Sequence, residues 1–267
     1  WSRDGKRIVY VAWSDEKLAS INSISLRRGR IQKLDIGKGH YRSPVYSPDG
    51  QSIVYRRTTG GWLRSPLWSS DPGLYQYDIR ADKSKLIHRN GRNPHFAQEN
   101  ERLYFTQKTD GQHSLMRLDI ETREVLEIAS TKMGTELWIS PDGEWLAVQD
   151  GHKAYLMMRP STGSSVTVSA NSSSVPMTGV SEFSGRDLHF SDKAFYWTEG
   201  TQLQWVDRET AFQEEAEPQQ LDLSFSQPSD LPKSSIAVVG ARIITMSDQG
   251  VIEDGSILWQ DNRIVAV

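Results

Sequence analysis

Tyr46-Ser47-Pro48-Asp49-Gly50, running directly into Gln51-Ser52-Ile53-Val54-Tyr55, decides the fold. Proline presets φ, aspartate bonds to nearby backbone, and glycine accepts positive φ without steric cost, so the first five residues read as a tight turn. An aromatic residue leads into that turn and an alternating strand leaves it. The unit recurs as Ile139-Ser140-Pro141-Asp142-Gly143 before Trp145-Leu146-Ala147-Val148, and as Trp1-Ser2-Arg3-Asp4-Gly5 before Ile8-Val9-Tyr10. A degraded copy runs Phe96-Ala97-Gln98-Glu99-Asn100 into Leu103-Tyr104-Phe105. A copy with a turn two residues shorter runs Phe190-Ser191-Asp192 into Phe195-Tyr196-Trp197. Successive lead residues are 45, 50, 43 and 51 positions apart, a period that indicates propeller blades.

A second hairpin lies within each period. It is clearest where Ser114-Leu115-Met116-Arg117-Leu118-Asp119-Ile120 turns through Glu121-Thr122-Arg123 into Glu124-Val125-Leu126-Glu127-Ile128. Counterparts are Leu74 to Ile79 before Lys85-Leu86-Ile87, and Leu203-Gln204-Trp205-Val206-Asp207. Two hairpins per period make a four-stranded antiparallel blade. The fold expected is therefore all-β. About five blades occupy residues 1–230, the first without its innermost strand, and they form part of a larger ring. No sustained helical periodicity interrupts them. Gly60-Gly61, Ser65-Pro66, Asp71-Pro72-Gly73 and the stretch from Ser161 to Ser184 read as loops, the Ser-rich run Ser169-Ala170-Asn171-Ser172-Ser173-Ser174 as a mobile one.

Composition excludes several classes. With 31 basic against 34 acidic residues, the chain has a net charge of −3 and no basic footprint for nucleic acid. The basic stretch at residues 27–33 is broken by Gly29, Ile31 and Gln32 and reads as a solvated hairpin rather than an anion site. No apolar run approaches the roughly 18 residues of a membrane helix, and mean hydropathy is −0.56. The absence of cysteine removes disulfides, thiol catalysis and Cys-based zinc sites. The chain opens at Trp1 inside a repeat, so its native start and any targeting signal are expected upstream.

Ser-Pro-Asp-Gly hairpins followed by an Asp-Ile-x-Thr turn resemble the TolB-like propeller repeats, relatives of the WD-repeat propellers, over about 85% of the chain. Such propellers serve as binding modules and as appendages of hydrolases; a periplasmic or secreted location is expected, which the cysteine-free composition fits as well as it fits a cytosolic one. Residues 231–267 differ in character. After the linker Pro228, Ser229, Asp230, Pro232 and Lys233, the pattern predicts an antiparallel three-stranded meander. It runs from Ile236 to Met246, from Val251 to Trp259 and from Arg263 to Val267, with Asp254-Gly255 and Asp261-Asn262 at bends. This segment resembles the N-terminal strands of the amidohydrolase superfamily, which open a small β-sandwich before a metal-binding (β/α)8 barrel. The resemblance implies a metal-dependent hydrolase of amide or other C–N bonds. Its divalent metal, such as zinc, would sit on a barrel whose His-x-His pair lies beyond Val267. The segment given is then catalytically silent, a substrate-gating or binding domain whose partner is that missing barrel. Without their sandwich partners, the meander strands are expected to be disordered, to pair between chains, or to be covered by further polypeptide.

Chemistry within the chain itself is sparse. His40, His88, His95, His113, His152 and His189 show no zinc spacing, and no nucleophile elbow or phosphate loop is present. No catalytic, cofactor or metal residue is assigned. Asp4, Asp49 and Asp142 read as turn residues, and His95 and His189, one before the lead aromatic, as blade packing. Trp13, Trp62 and Trp68 fall near loops and offer a partner surface or caps for blade edges. Counting back from the lead residues places Arg42, Arg92 and Arg186 at one repeat position, with Thr135 in the fourth blade. Ser43, Asn93, Glu136 and Asp187 follow directly. These positions open the innermost strands and line the channel mouth. Arg42, Arg92, Arg186 and Glu136 are therefore the candidate binding residues for a carboxylate or for a peptide or protein ligand, since guanidinium binds carboxylate bidentately. The alternative is that they pair with neighbouring acids and fill the funnel.

Overall fold

The computed structural model describes residues 1–58, 71–160, 165–170, 176–213 and 216–267. Gly60-Gly61, Trp62, Ser65-Pro66, Trp68, Ser161 and residues 171–174 of the Ser-rich run lie outside the described residues. The chain divides into two compact units, Trp1–Leu223 and Ser224–Val267. No helix occurs among the described residues.

The first unit holds five antiparallel blades. Blade one has three strands, β1 (Arg7–Ser14), β2 (Leu18–Ser25) and β3 (Ile31–Lys33). Blade two orders β4 (His40–Tyr46), β5 (Ser52–Thr58), β6 (Gly73–Asp78) and β7 (Lys83–His88). Blade three orders β8 (Arg92–Phe96), β9 (Arg102–Thr109), β10 (Gln112–Asp119) and β11 (Val125–Thr131). Blade four comprises β12 (Gly134–Ile139), β13 (Trp145–Asp150), β14 (Lys153–Met158) and β16 (Met177–Gly179). Between its last two strands the chain crosses back as β15 (Val166–Thr167), which adds to blade three in parallel with β11. Blade five comprises β17 (Arg186–Phe190), β18 (Ala194–Glu199), β19 (Gln202–Asp207) and β20 (Gln219–Asp222). The parallel strand β15 was not expected from the sequence.

The repeated turn closes the same way in each clear copy. Ser2 and Ser47 donate from Oγ to Asp4 and Asp49 at 2.6 Å, and Ser140 does so to Asp142. The same carboxylate oxygens accept the N–H of Lys6, Gln51 and Glu144 at 3.1, 2.9 and 3.0 Å. Gly5, Gly50 and Gly143 take φ of 68°, 69° and 78°, the left-handed region that favours glycine. The shorter fifth copy closes through Ser191, whose N–H bonds to the Ala194 carbonyl. Outer hairpins use a second aspartate device: Asp78, Asp119 and Asp207 each accept two backbone N–H groups just downstream. These side chains make the turn that the backbone alone would not hold.

Strand alternation then builds the core between blades. Ile53 and Tyr55 on one face of β5 pack with Val9, Ile21 and Tyr41 toward blade one. Val54 on the opposite face packs with Phe96, Leu103 and Phe105 of blade three. Further clusters join blades three and four around Leu115 and Val148, and blades four and five around Leu156 and Trp197. Period-two alternation thus places each strand's two apolar faces against different neighbours.

The second unit is a three-stranded meander, β21 (Ser235–Ile244), β22 (Val251–Gln260) and β23 (Arg263–Ala266). Asp261, with φ of 57°, bends the chain as expected. Asp254-Gly255 does not. It lies inside β22 opposite the irregular register between Val238 and Ile243, while the reversal between Met246 and Val251 forms where the strand limits place it. A Cβ at Gly255 would come within 2.5 Å of the Ile243 terminal methyl, which would have to move aside. Ile243 is the buried apolar residue of this unit, while Ile236, Val239, Ile244, Ile264 and Val265 are more than half exposed.

Candidate functional site

Each innermost strand carries one extra residue. On β4, Arg42 pairs with Arg56 and the register resumes only at Val45 opposite Val54. On β8 and β17, Arg92 pairs with Thr106 and Arg186 with Thr198, resuming at His95 and His189. The residue after each arginine (Ser43, Asn93 or Asp187) has φ near 50°. This is a β-bulge, which bends the strand and re-aims its side chains. Blade four departs from the sequence alignment: its ladder puts Gly134, not Thr135, in the paired position, opposite Asp150. A Cβ at Gly134 would lie 2.1 Å from the Gln149 carbonyl, so close backbone approach fixes glycine there and shifts the bulge.

Arg42, Arg92 and Arg186 are exposed and Arg56 is half-buried. Burial, followed by the positive charges of Arg92 and Arg42, holds the Arg56 guanidinium below the usual arginine range. Partial burial and the charges of Lys108 and Arg92 likewise lower the His113 imidazole. Arg42, Arg56, Arg92 and Lys108 therefore make one positive field, which the His113 imidazole feels. Among the described residues no carboxylate reaches ion-pair distance of any of these five. Arg56 was missed in the sequence: counting the ladder back from Tyr46 and Ile53 places Arg57 opposite Arg42, and only the bulge brings Arg56 there. Arg186 stands two blades beyond Arg92, and among the described residues no ion pair joins it to this group.

Glu136 has a different role. Its two carboxylate oxygens accept the backbone N–H of Asp187 at 3.1 Å and of Leu188 at 3.0 Å, with the Trp138 indole N–H at 3.3 Å. The side chain thus satisfies the N–H groups exposed by the blade-five bulge.

At the other end of the innermost strands all five blades contribute to a cavity of about 350 Å³, lined by Arg3, Tyr46, His95, Trp138, His189 and Phe190 among others. Arg3 reaches across to the Ala97 carbonyl at 2.6 Å. His95 is buried. Its Nδ1 lies 2.9 Å from the Asn93 carbonyl and its Nε2 accepts the Ile139 N–H at 3.2 Å, which fixes a neutral tautomer. Burial lowers its pKa to about 4. His95 therefore packs between blades as expected, and the His189 ring, also on the cavity wall, meets the Trp138 ring of blade four edge-on at 6.2 Å. Asp142 joins blade five through an ion pair with Arg208 at 2.7 Å. Among the described residues no group of three or more acidic or histidine side chains could hold a metal ion.

No protein-family profile and no curated protein sequence matches the chain. Solved structures do. TolB from Acinetobacter baumannii superposes with a TM-score of 0.60 at 18% identity, covering 82% of this chain. The fold is that of a TolB-like β-propeller. A putative TolB from Agrobacterium tumefaciens matches at TM-score 0.56 and 14% identity, over 83% of this chain and 79% of its own length. A chain of a nidogen–laminin complex matches at 0.54 and 13%, over 79% and 75%. This chain spans 54% of the length of the Acinetobacter TolB. No helix among the described residues is long and apolar enough to cross a membrane.

Proposed function

We propose that this propeller binds a carboxylate-bearing peptide or protein segment at the mouth of its central channel. The observation that carries the reading is the group Arg42, Arg56 and Arg92, three guanidinium groups that share a field without an acidic partner among the described residues. Like charges held together raise the free energy of the empty site, and an incoming carboxylate relieves it with charge-assisted, bidentate bonds. The occurrence of a similar propeller in a nidogen–laminin complex favours a polypeptide ligand over a small ion. Calorimetric titration with N-acetylated tripeptides tests this. Free-acid peptides should bind and their C-terminal amides should bind at least tenfold more weakly. Equal affinities, or no binding by either, would overturn it.

A second reading concerns the parent protein. The meander of residues 235–266 leaves most of its apolar side chains open, and that favours a covering domain. We propose that this domain is an amidohydrolase-type sandwich and metal-binding barrel, for which the propeller is the accessory, substrate-holding part. A periplasmic or secreted location, compatible with a cysteine-free chain, belongs to the same proposal. Codons after Val267 should encode a His-x-His pair; a stop codon would refute the reading.

A further inference from the structure

Asn90-Gly91 is the one Asn-Gly pair in the 267 residues. It lies in the short crossing from β7, the outermost strand of blade two, to β8, the innermost strand of blade three, and Arg92 follows it directly. Asn90 is exposed. Among the described residues, neither its side chain nor the Gly91 N–H makes a hydrogen bond. An unengaged carboxamide thus stands next to an unengaged backbone nitrogen.

Packing between blades keeps the glycine in place. Gly91 takes φ of 128°, and a Cβ there would lie 2.7 Å from the Phe105 ring and 2.8 Å from a Leu74 methyl. Both of those side chains are fully buried. Glycine in turn leaves its own nitrogen unshielded, because no Cβ hinders its approach to a neighbouring carbonyl carbon. Other asparagines lack this combination. Asn22 is buried and donates from Nδ2 to the Ser20 hydroxyl at 3.2 Å. Asn93 precedes a proline, which has no N–H. Asn100 accepts the Asp49 N–H on Oδ1 at 3.0 Å.

We infer that Asn90 is a site of spontaneous deamidation, and that the product sets a carboxylate beside the mouth arginines, where it competes with the ligand. The Gly91 nitrogen attacks Asn90 Cγ. The N–Cγ bond forms, the Cγ–Nδ2 bond breaks, and ammonia leaves with the proton of the Gly91 nitrogen. Water then opens the cyclic imide at either carbonyl and yields aspartate or isoaspartate. Position 90 is two residues from Arg92, about 7 Å along extended chain. That is within the screening length of roughly 10 Å at moderate salt. A neutral carboxamide thus becomes an anion within reach of the field of Arg42, Arg56 and Arg92. The competition, unlike the deamidation, rests on the reading of the mouth as a carboxylate site.

Incubation of the folded chain in water labelled with heavy oxygen, at mildly alkaline pH, followed by peptide mass spectrometry, tests the site. Label is expected at Asn90, in both aspartate and isoaspartate forms, at least tenfold faster than at Asn22 or Asn100. Asn90→Gln should abolish it. The assignment fails if Asn90 takes up label no faster than Asn100. It also fails if the folded chain reacts there at least tenfold more slowly than the chain in denaturant, since the fold would then protect the pair. For the mouth, Asn90→Asp supplies the charge without the rearranged backbone. By calorimetry at low salt it should bind a free-acid tripeptide at least threefold more weakly, while Asn90→Gln binds like the unaltered chain. Unchanged affinity of Asn90→Asp would overturn the competition. Failure of the unaltered chain to bind any free-acid peptide would overturn the mouth reading and the competition with it, and the labelling would still decide whether Asn90 reacts.

Discussion

The two ends of the innermost strands treat charge in opposite ways. At the turn end every clear aspartate has its work done by neighbours: a serine hydroxyl, a backbone N–H and, for Asp142, the Arg208 guanidinium. At the mouth, Arg42, Arg56 and Arg92 share a field and meet no acid among the described residues. Repetition of a charged residue from blade to blade is therefore ambiguous by itself. It signals architecture where the side chain is satisfied within the chain, and where it is not, as at the mouth, it leaves the charge open to the ligand proposed above. Glu136 sharpens the point, since it stands among the candidate mouth residues yet is occupied with backbone N–H groups of blade five.

The largest effect expected lies at the turn end, in the pH dependence of folding. His95 is neutral in the fold down to about pH 4, against an ordinary value of 6.5. Above 6.5 the group is neutral in both states and contributes no slope. Between 6.5 and 4 the unfolded chain takes up a proton that the fold refuses, so stability falls as pH drops, by about 3 kcal/mol in total. His113, lowered by partial burial and by Lys108 and Arg92, and His189, lowered by desolvation in the cavity wall, add slopes of the same sign. Denaturant unfolding of His95→Gln across that window should show a flatter profile than the unaltered chain. An unchanged slope would mean that His95 is not the buried bridge described.

Next in size is Asp142→Ala, which strands Arg208 and removes the acceptor for the Glu144 N–H and the Ser140 hydroxyl. Partial burial pushes this carboxyl up, and Ser140, Glu144 and Arg208 outweigh it, holding the pKa below the ordinary value. A loss of about 2 kcal/mol is expected near neutral pH. Because the folded pKa is depressed, the difference from the unaltered chain should vanish as acid protonates the carboxyl below about pH 4. A difference that persists at low pH would count against the charge as its cause. Smaller again is Glu136→Gln, which keeps one carbonyl acceptor for the two N–H groups. It should lower stability by about 1 kcal/mol and leave affinity for free-acid peptides unchanged, and a loss of affinity would return Glu136 to the ligand site.

The turn end was the legible part of the molecule. Ser, Asp and Gly at fixed offsets specify a local reversal through bonds spanning five residues or fewer, so Asp49 and Asp142 declare themselves in sequence. The outer hairpins were legible for the same reason: the strand read from Ser114 forms as Gln112–Asp119. Features that depend on register across the sheet were not. Counting back to Thr135 misses the single-residue shift that seats Gly134 against the Gln149 carbonyl. Arg56 becomes a mouth residue only through its pairing with Arg42. Asp254-Gly255 misleads for a related reason. The dipeptide is a turn signal, yet here it is consumed inside a strand, where Gly255 makes room for Ile243 across the ladder.

The unfolding free energy of the Arg42→Gln, Arg92→Gln double variant, measured in denaturant at neutral pH and low salt, bears most directly on the contrast between the two ends. If these arginines are held ready for a ligand and support nothing in the fold, the variant will be as stable as the unaltered chain or slightly more so, through relief of their repulsion with Arg56. A loss as large as that of Asp142→Ala would contradict the account and make the mouth arginines part of the architecture.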